Sequence, residues 1–233
     1  MPHPITFEVD GVEKKERITL DVVRGYNLGF TIRDAAKMQA HLDEVAREGV
    51  PRPSTDTPPI IFPISTWAWT TSSECPVQTS YTSGEVEIFM VDTDAGLFVG
   101  VGSDHTDRKL EATDIPWSKQ VTPNVVAPTI WRWEEVADHW DECMLDSWVT
   151  KDGKRTHYQH ASVSEFWTPV EMVDGVKGRV PAERPRLFVS GTVVSLDEQL
   201  IYGDTWELAL TDPVLDRAIQ HTYEVVVLDR EIS

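Results

Sequence analysis

From Val77 onward the apolar residues of this chain come in short bursts rather than at helical intervals. Gln78 to Tyr81, Glu85 to Val91 and Leu97 to Val101 are rich in β-branched or aromatic residues, and Ser83-Gly84 and Asp94-Ala95-Gly96 punctuate them. The closing third repeats the pattern at Arg186–Ser190, Thr205–Leu210 and His221–Leu228. Segments this short, ended by turn residues, bury their side chains by pairing as strands and not along helix faces. The opening adds a hairpin: residues 5–9 and 16–23 alternate apolar and polar about Asp10-Gly11.

Two stretches read as helices. In Thr31 to Glu48, Ile32, Ala35, Met38, Leu42 and Val45 share a stripe, with Thr31 as N-cap and Gly49 as the stop. Trp131 to Ser147 is the second. Between them Pro51, Pro53, Pro58, Pro59 and Pro63 stiffen the connection around Ile60-Ile61-Phe62. No period of about 20 to 50 residues recurs, which excludes solenoids and propellers. A length of 233 residues fits one domain, residues 1–233, with an N-terminal hairpin over 1–24 and the remainder, 25–233, forming a mainly β (α+β) body with peripheral helices.

Charge narrows the partners. Lys and Arg number 21 and Asp and Glu 39, a net charge of −18, and no basic run interrupts this, so nucleic acid and anionic membrane surfaces are excluded as partners. Cys75 and Cys143 form no CxxC, and no apolar run of about 18 residues exists, so the expectation is a reduced, soluble, cytoplasmic protein. Gly-rich phosphate loops, GxSxG and HExxH are missing, which removes those enzyme classes.

The chemistry gathers around an acidic cluster. Glu85 and Glu87 are two apart in a strand pattern, so their carboxylates share a face about 7 Å apart. If the strand from Leu97 pairs with its predecessor, Asp104 joins them, and three carboxylate oxygens suit octahedral Mg²⁺ or Mn²⁺. Alternating Glu on a solvated strand face is common, so the pair alone decides nothing.

The ordered motifs decide more. Ser83-Gly84-Glu85-Val86-Glu87, Asp104-His105-Thr106-Asp107-Arg108, Pro116-Trp117-Ser118-Lys119, Pro128, Ser190-Gly191-Thr192 and the terminal strand pair, from Trp206 to Leu210 and from Arg217 to Tyr223, stand in one order. In that order the chain resembles the fumarylacetoacetate hydrolase superfamily from about Gly25 to Leu228. SGEVE, GVGSDHTDR and DPVLDR are similar to its DUF2848 subgroup.

The resemblance implies a mixed β-sandwich roll of the type of that family's C-terminal domain, a homodimer, and a metal held by Glu85, Glu87 and Asp104. It implies a small anionic 2-oxo or 1,3-dioxo acid as substrate and hydrolysis of a C–C bond through a metal-stabilised enolate. His41 and Glu44, at the family's spacing, would be the acid/base pair that activates water, with Lys119 holding an oxyanion; Arg108, Gln159 and Thr192 would contact substrate. A rival register, in which Gly29 to Ala35 matches the family's glycine-x-asparagine-tyrosine stretch, puts Ala35 in the histidine's place.

Other readings stay open. A decarboxylase, hydratase or isomerase would use the same enolate. A non-catalytic carbohydrate- or metabolite-binding module would use tryptophan pairs, Trp67 with Trp69 or Trp131 with Trp133, although tryptophan more often anchors a core. His105 points away from Asp104 in extended chain, and His139, His157, His160 and His221 show no ligand spacing to one another.

Overall fold

The computed structural model describes residues 3–34, 36, 39, 57–197 and 199–228. Its strands, in chain order, are β1 (His3–Asp10), β2 (Lys15–Val22), β3 (Arg24–Gly29), β4 (Ile60–Ile64), β5 (Trp69–Thr70), β6 (Glu74–Val77), β7 (Thr82–Ser83), β8 (Glu87–Thr93) and β9 (Gly96–Asp104). They continue as β10 (Thr106–Asp107), β11 (Asn124–Val126), β12 (Thr129–Arg132), β13 (Met144–Lys151), β14 (Lys154–Ser162), β15 (Arg186–Val189), β16 (Thr205–Asp212) and β17 (Arg217–Val227). Short helices interrupt them: α1 (Arg108–Glu111), α2 (Ile115–Gln120), α3 (Trp133–Val136) and α4 (Pro169–Gly175).

The larger sheet runs β2-β1-β12-β9-β8-β15-β3-β4, with β11 bridging β5 and β9. A second sheet runs β14-β13-β16-β17-β6, and β7 with β10 forms a two-stranded piece. The β8–β9 hairpin is central because both its faces are covered. Ile88 and Met90 enter one core with Val99 and Val101, while Phe89 and Val91 enter the other with Phe98 and Val126. A strand buried on both sides reads as the continuous apolar run seen at 88–91. The two cores together make a mixed sheet packed on each face, the mainly β class that the strand bursts predict. The N-terminal hairpin forms as expected, Asp10 pairing with Lys15, and β1 then joins β12, so this hairpin is part of the larger sheet.

Several local expectations are corrected. Residues 131–147 are no single helix: Trp131 lies in β12, α3 and a 3-10 turn follow, and His139 breaks the turn with φ −131°. Met144 onward is strand, because pairing with both β14 and β16 outweighs a helical pattern of side chains. Gln78 to Tyr81 is a bend, and the strand sits earlier, at β6, where Pro76 is tolerated on the edge of its sheet. Glu85 precedes β8 instead of lying within it. Residues 35 and 37–38 and 40–48 of the candidate helix, with His41 and Glu44, lie outside the described residues. At its start Thr31 does not cap: Ile32 bridges to Phe166, Thr31 Oγ1 accepts from Gly191 N at 3.2 Å, and Asp34 accepts from Ala36 N at 2.8 Å.

Tryptophan serves mainly as core. Trp69, Trp131, Trp140 and Trp206 are fully buried, whereas Trp67 and Trp117 face solvent. Neither predicted pair therefore offers two exposed indoles on one face.

Candidate metal centre

The three carboxylates meet. Glu85, Glu87 and Asp104 each bring an oxygen within 4.8 Å of the others. Asp104 ends β9, Glu87 opens β8 opposite Gly102, and Glu85 stands just outside the ladder. Glu87 and Asp104 are each only 2% exposed.

Because residues 84–86 have no strand partner, side chains must satisfy their backbone. Glu85 N donates to Ser103 Oγ at 3.0 Å, and Val86 N donates to Gln159 Oε1 at 2.9 Å. Thr192 Oγ1 donates to Val86 O at 3.0 Å and accepts from Gln159 Nε2 at 2.8 Å. Gln159 also accepts from Ser147 Oγ at 2.8 Å and donates to Val193 O at 2.7 Å. Gln159 and Thr192 thus hold both backbone groups of the residue between the two glutamates. Ser103 in turn accepts from Tyr223 OH at 3.1 Å, and Tyr223 OH meets His105 Nδ1 at 3.1 Å. Gly84 permits this close packing, since a Cβ there would lie 2.2 Å from Tyr223 OH and 2.9 Å from Trp206.

Two cations face the acids. Arg108 donates through Nε to Ser83 Oγ at 2.6 Å and pairs with Glu85 at 2.7 Å and Glu111 at 2.8 Å. Its position at the start of α1 is set by Asp107, which caps the helix by accepting from Leu110 N at 3.0 Å. Lys119 forms an ion pair with Asp104 Oδ2. It sits in α2 rather than in the loop its prolines suggest; Asp114 caps that helix, and Thr122 Oγ1 ties its end to the carbonyl of His105.

Burial raises Glu85 from 4.5 to about 7, with Arg108 opposing it, and pushes Glu87 well up too, reinforced by the charge of Asp104. Burial works against the Lys119 ammonium, but Asp104, Glu111, Glu87 and Glu85 outweigh it and raise its pKa. His105 is fully buried and its pKa falls to about 3 through burial and then Arg108; its ring packs edge-on to Tyr223 and Trp206, away from the carboxylates.

The donor set fits a hard divalent ion. Glu87 Oε2 and Asp104 Oδ1 are buried with no hydrogen-bond partner among the described residues, a costly state for an acceptor unless a cation meets it. Counting charges, Glu85, Glu87, Asp104 and Glu111 against Arg108 and Lys119 leave two negative charges, matched by one M²⁺. Three carboxylate oxygens suit Mg²⁺ or Mn²⁺.

Two residues escaped the sequence reading. Asn27 of β3 donates to Asp104 Oδ2 at 3.4 Å, and Asn124 of β11 donates to Asn27 Oδ1 at 2.5 Å. A lone amide inside each of the apolar segments Tyr26-Asn27-Leu28 and Asn124-Val125-Val126 was the available signal.

This mixed β architecture recurs in solved structures. The fold is similar to that of Cg1458, with TM-score 0.63 and 12% identity over 97% of this chain and 100% of that one. It is also similar to 2-keto-3-deoxyarabinonate dehydratase, with TM-score 0.65 and 15% identity over 89% of this chain and 75% of that one. Another similar structure is 2-keto-3-deoxy-D-arabinonate dehydratase complexed with magnesium and 2,5-dioxopentanoate, with TM-score 0.64 and 15% identity over 90% and 75%. No curated protein sequence matches the chain. The family model described as protein of unknown function, DUF2848, matches residues 28–223, and the chain belongs to that family.

Proposed function

We propose that the chain is a divalent-metal-dependent enzyme that hydrolyses a C–C bond of a small 2-oxo or 1,3-dioxo acid through an enolate. The observation that carries this reading is the acidic trio, with an oxygen on both Glu87 and Asp104 that has no hydrogen-bond partner among the described residues, set between two held cations. Mg²⁺ or Mn²⁺ on Glu85, Glu87 and Asp104 supplies Lewis-acid stabilisation of the enolate.

The chain's own groups do the rest. Lys119, buried and held charged, offers a cation to an anionic substrate oxygen, a role worth a few kcal/mol per donor, about 3. Arg108 already pairs with Ser83, Glu85 and Glu111, so in this reading its part is to orient Glu85. Gln159 and Thr192, spent on Val86, position the glutamates in the same way. His41, oriented by Glu44, is the base that activates water in this reading, and the chain works as a homodimer.

A second reading, loss of water from a hydroxylated 2-oxo acid, is favoured by the likeness to a 2-keto-3-deoxyarabinonate dehydratase bound to magnesium and 2,5-dioxopentanoate. It needs the same trio and Lys119 and differs in the bond that breaks. The test assays the Mg²⁺-loaded protein on acylpyruvates, oxaloacetate and 2-keto-3-deoxy sugar acids, with Glu87→Gln beside it. Pyruvate plus a second acid marks hydrolysis, and a dioxo acid marks dehydration. Turnover that survives in Glu87→Gln, or none on any 2-oxo acid by a protein that binds Mg²⁺, refutes the enzyme.

A further inference from the structure

We propose that Asp146, His157 and His160 form a second metal site, on the outer face of the β13–β14 ribbon, that takes a borderline first-row cation such as Zn²⁺. Their spacing gives no hint of it, because residues three apart in a regular strand point to opposite faces. A β-bulge changes that. Asp146 pairs with His160 and Ser147 with Gln159, but Trp148 pairs with His157, so Tyr158 is the extra residue. Tyr158 and Gln159 both turn inward, and His157 and His160 both turn outward.

The donors then converge. His157 Nε2 lies 2.7 Å and His160 Nδ1 2.8 Å from the same Asp146 oxygen, and all three donor atoms fall within 4.8 Å of one another. Around a tetrahedral ion with bonds of about 2.0–2.1 Å, neighbouring donors stand about 3.4 Å apart, so each imidazole needs to withdraw by only about 0.6 Å. The His157 ring is stacked on Trp148 at 5.0 Å with planes 15° apart, which fixes its direction. Arg155 lies over the other ring system of this stack, 4.6 Å from Trp148, but its charge is taken up by Glu207 at 2.6 and 2.9 Å. The two imidazoles are 40% and 48% exposed, leaving space for water to complete the coordination.

Ligand type separates this site from the first. Two imidazoles and one carboxylate favour Zn²⁺ and its neighbours in the transition series, whereas three carboxylates favour Mg²⁺. The inference does not depend on the proposed enzymatic function. It is tested by titrating Zn²⁺ into the full chain in saturating Mg²⁺, by calorimetry and by the fluorescence of Trp148. Wild type and Glu87→Gln are expected to bind one Zn²⁺ alike. His157→Ala, His160→Ala and Asp146→Asn are each expected to weaken it about tenfold or more, since even partners of metal ligands shift affinity by that much. Co²⁺ should give visible d–d bands that vanish in His160→Ala, whose exposed ring can be removed without touching the core. Unchanged Zn²⁺ affinity in His160→Ala, or loss of the Zn²⁺ signal in Glu87→Gln, overturns the site.

Discussion

Arg108 and Glu85 form an ion pair at 2.7 Å in which the guanidinium is simultaneously tied to Ser83 and Glu111. The arginine therefore fixes a carboxylate that no strand ladder holds. Replacing it by methionine removes the guanidinium that faces Glu85, and removal of one partner from a buried pair costs on the order of 3 kcal/mol. Arg108→Met should lose about that much in denaturant unfolding of the metal-free protein. It should lose more at pH 8 than at pH 5, because the Glu85 carboxylate, raised to about 7, is protonated in acid.

Glu85 and Glu87 are pushed upward by burial, Glu85 from 4.5 to about 7. A carboxylate with a raised pKa binds more protons in the folded than in the unfolded state, so metal-free stability falls as pH rises from 4.5 through about 7. A bound M²⁺ requires the ionised forms. The Tm increment on adding Mg²⁺ should accordingly be larger at pH 8 than at pH 5, and thermal melts with and without Mg²⁺ at both pH values check this. An increment that shrinks with pH contradicts the assignment of the trio.

Tyr223 is linked to the Glu85 backbone through Ser103. Tyr223→Phe removes a buried hydroxyl from between His105 and Ser103 and should cost about 1–2 kcal/mol. The released serine loosens the Glu85 backbone, so Mg²⁺ affinity should fall severalfold with the fold intact. Calorimetric titration of the variant decides whether this chain positions the ligand.

Gly84 is required by contact, since its Cβ would meet Tyr223 OH at 2.2 Å and Trp206 at 2.9 Å. Gly84→Ala should destabilise by about 1–3 kcal/mol as overpacking does and should weaken Mg²⁺ binding more than Tyr223→Phe. In the double variant the hydroxyl clash is gone while the Trp206 clash persists, so the two costs should be less than additive, which a double-mutant cycle measures.

Local sequence carried much of this protein. The hairpin about Asp10-Gly11 and the central pair β8 and β9 with its Asp94-Ala95 turn could be read because each depends on alternation within one strand or its immediate neighbour, and the convergence of Glu87 with Asp104 follows from that pairing, although Glu85 stands just before β8. The order of short motifs along the chain was also enough to point to the DUF2848 family.

Tertiary pairing decided the rest. Residues 144–147 carry a pattern that also fits a helix, and become strand only because β14 and β16, distant in sequence, supply hydrogen bonds on both sides. Asn27 and Asn124 are 97 residues apart and meet at Asp104 only when β3 and β11 take their places about the centre. The bulge at Tyr158 turns two histidines with no periodic relation toward one aspartate. Side-chain periodicity is a property of one segment, whereas register and bulges are fixed by which segments pair, and that choice is made by the packing of the whole chain.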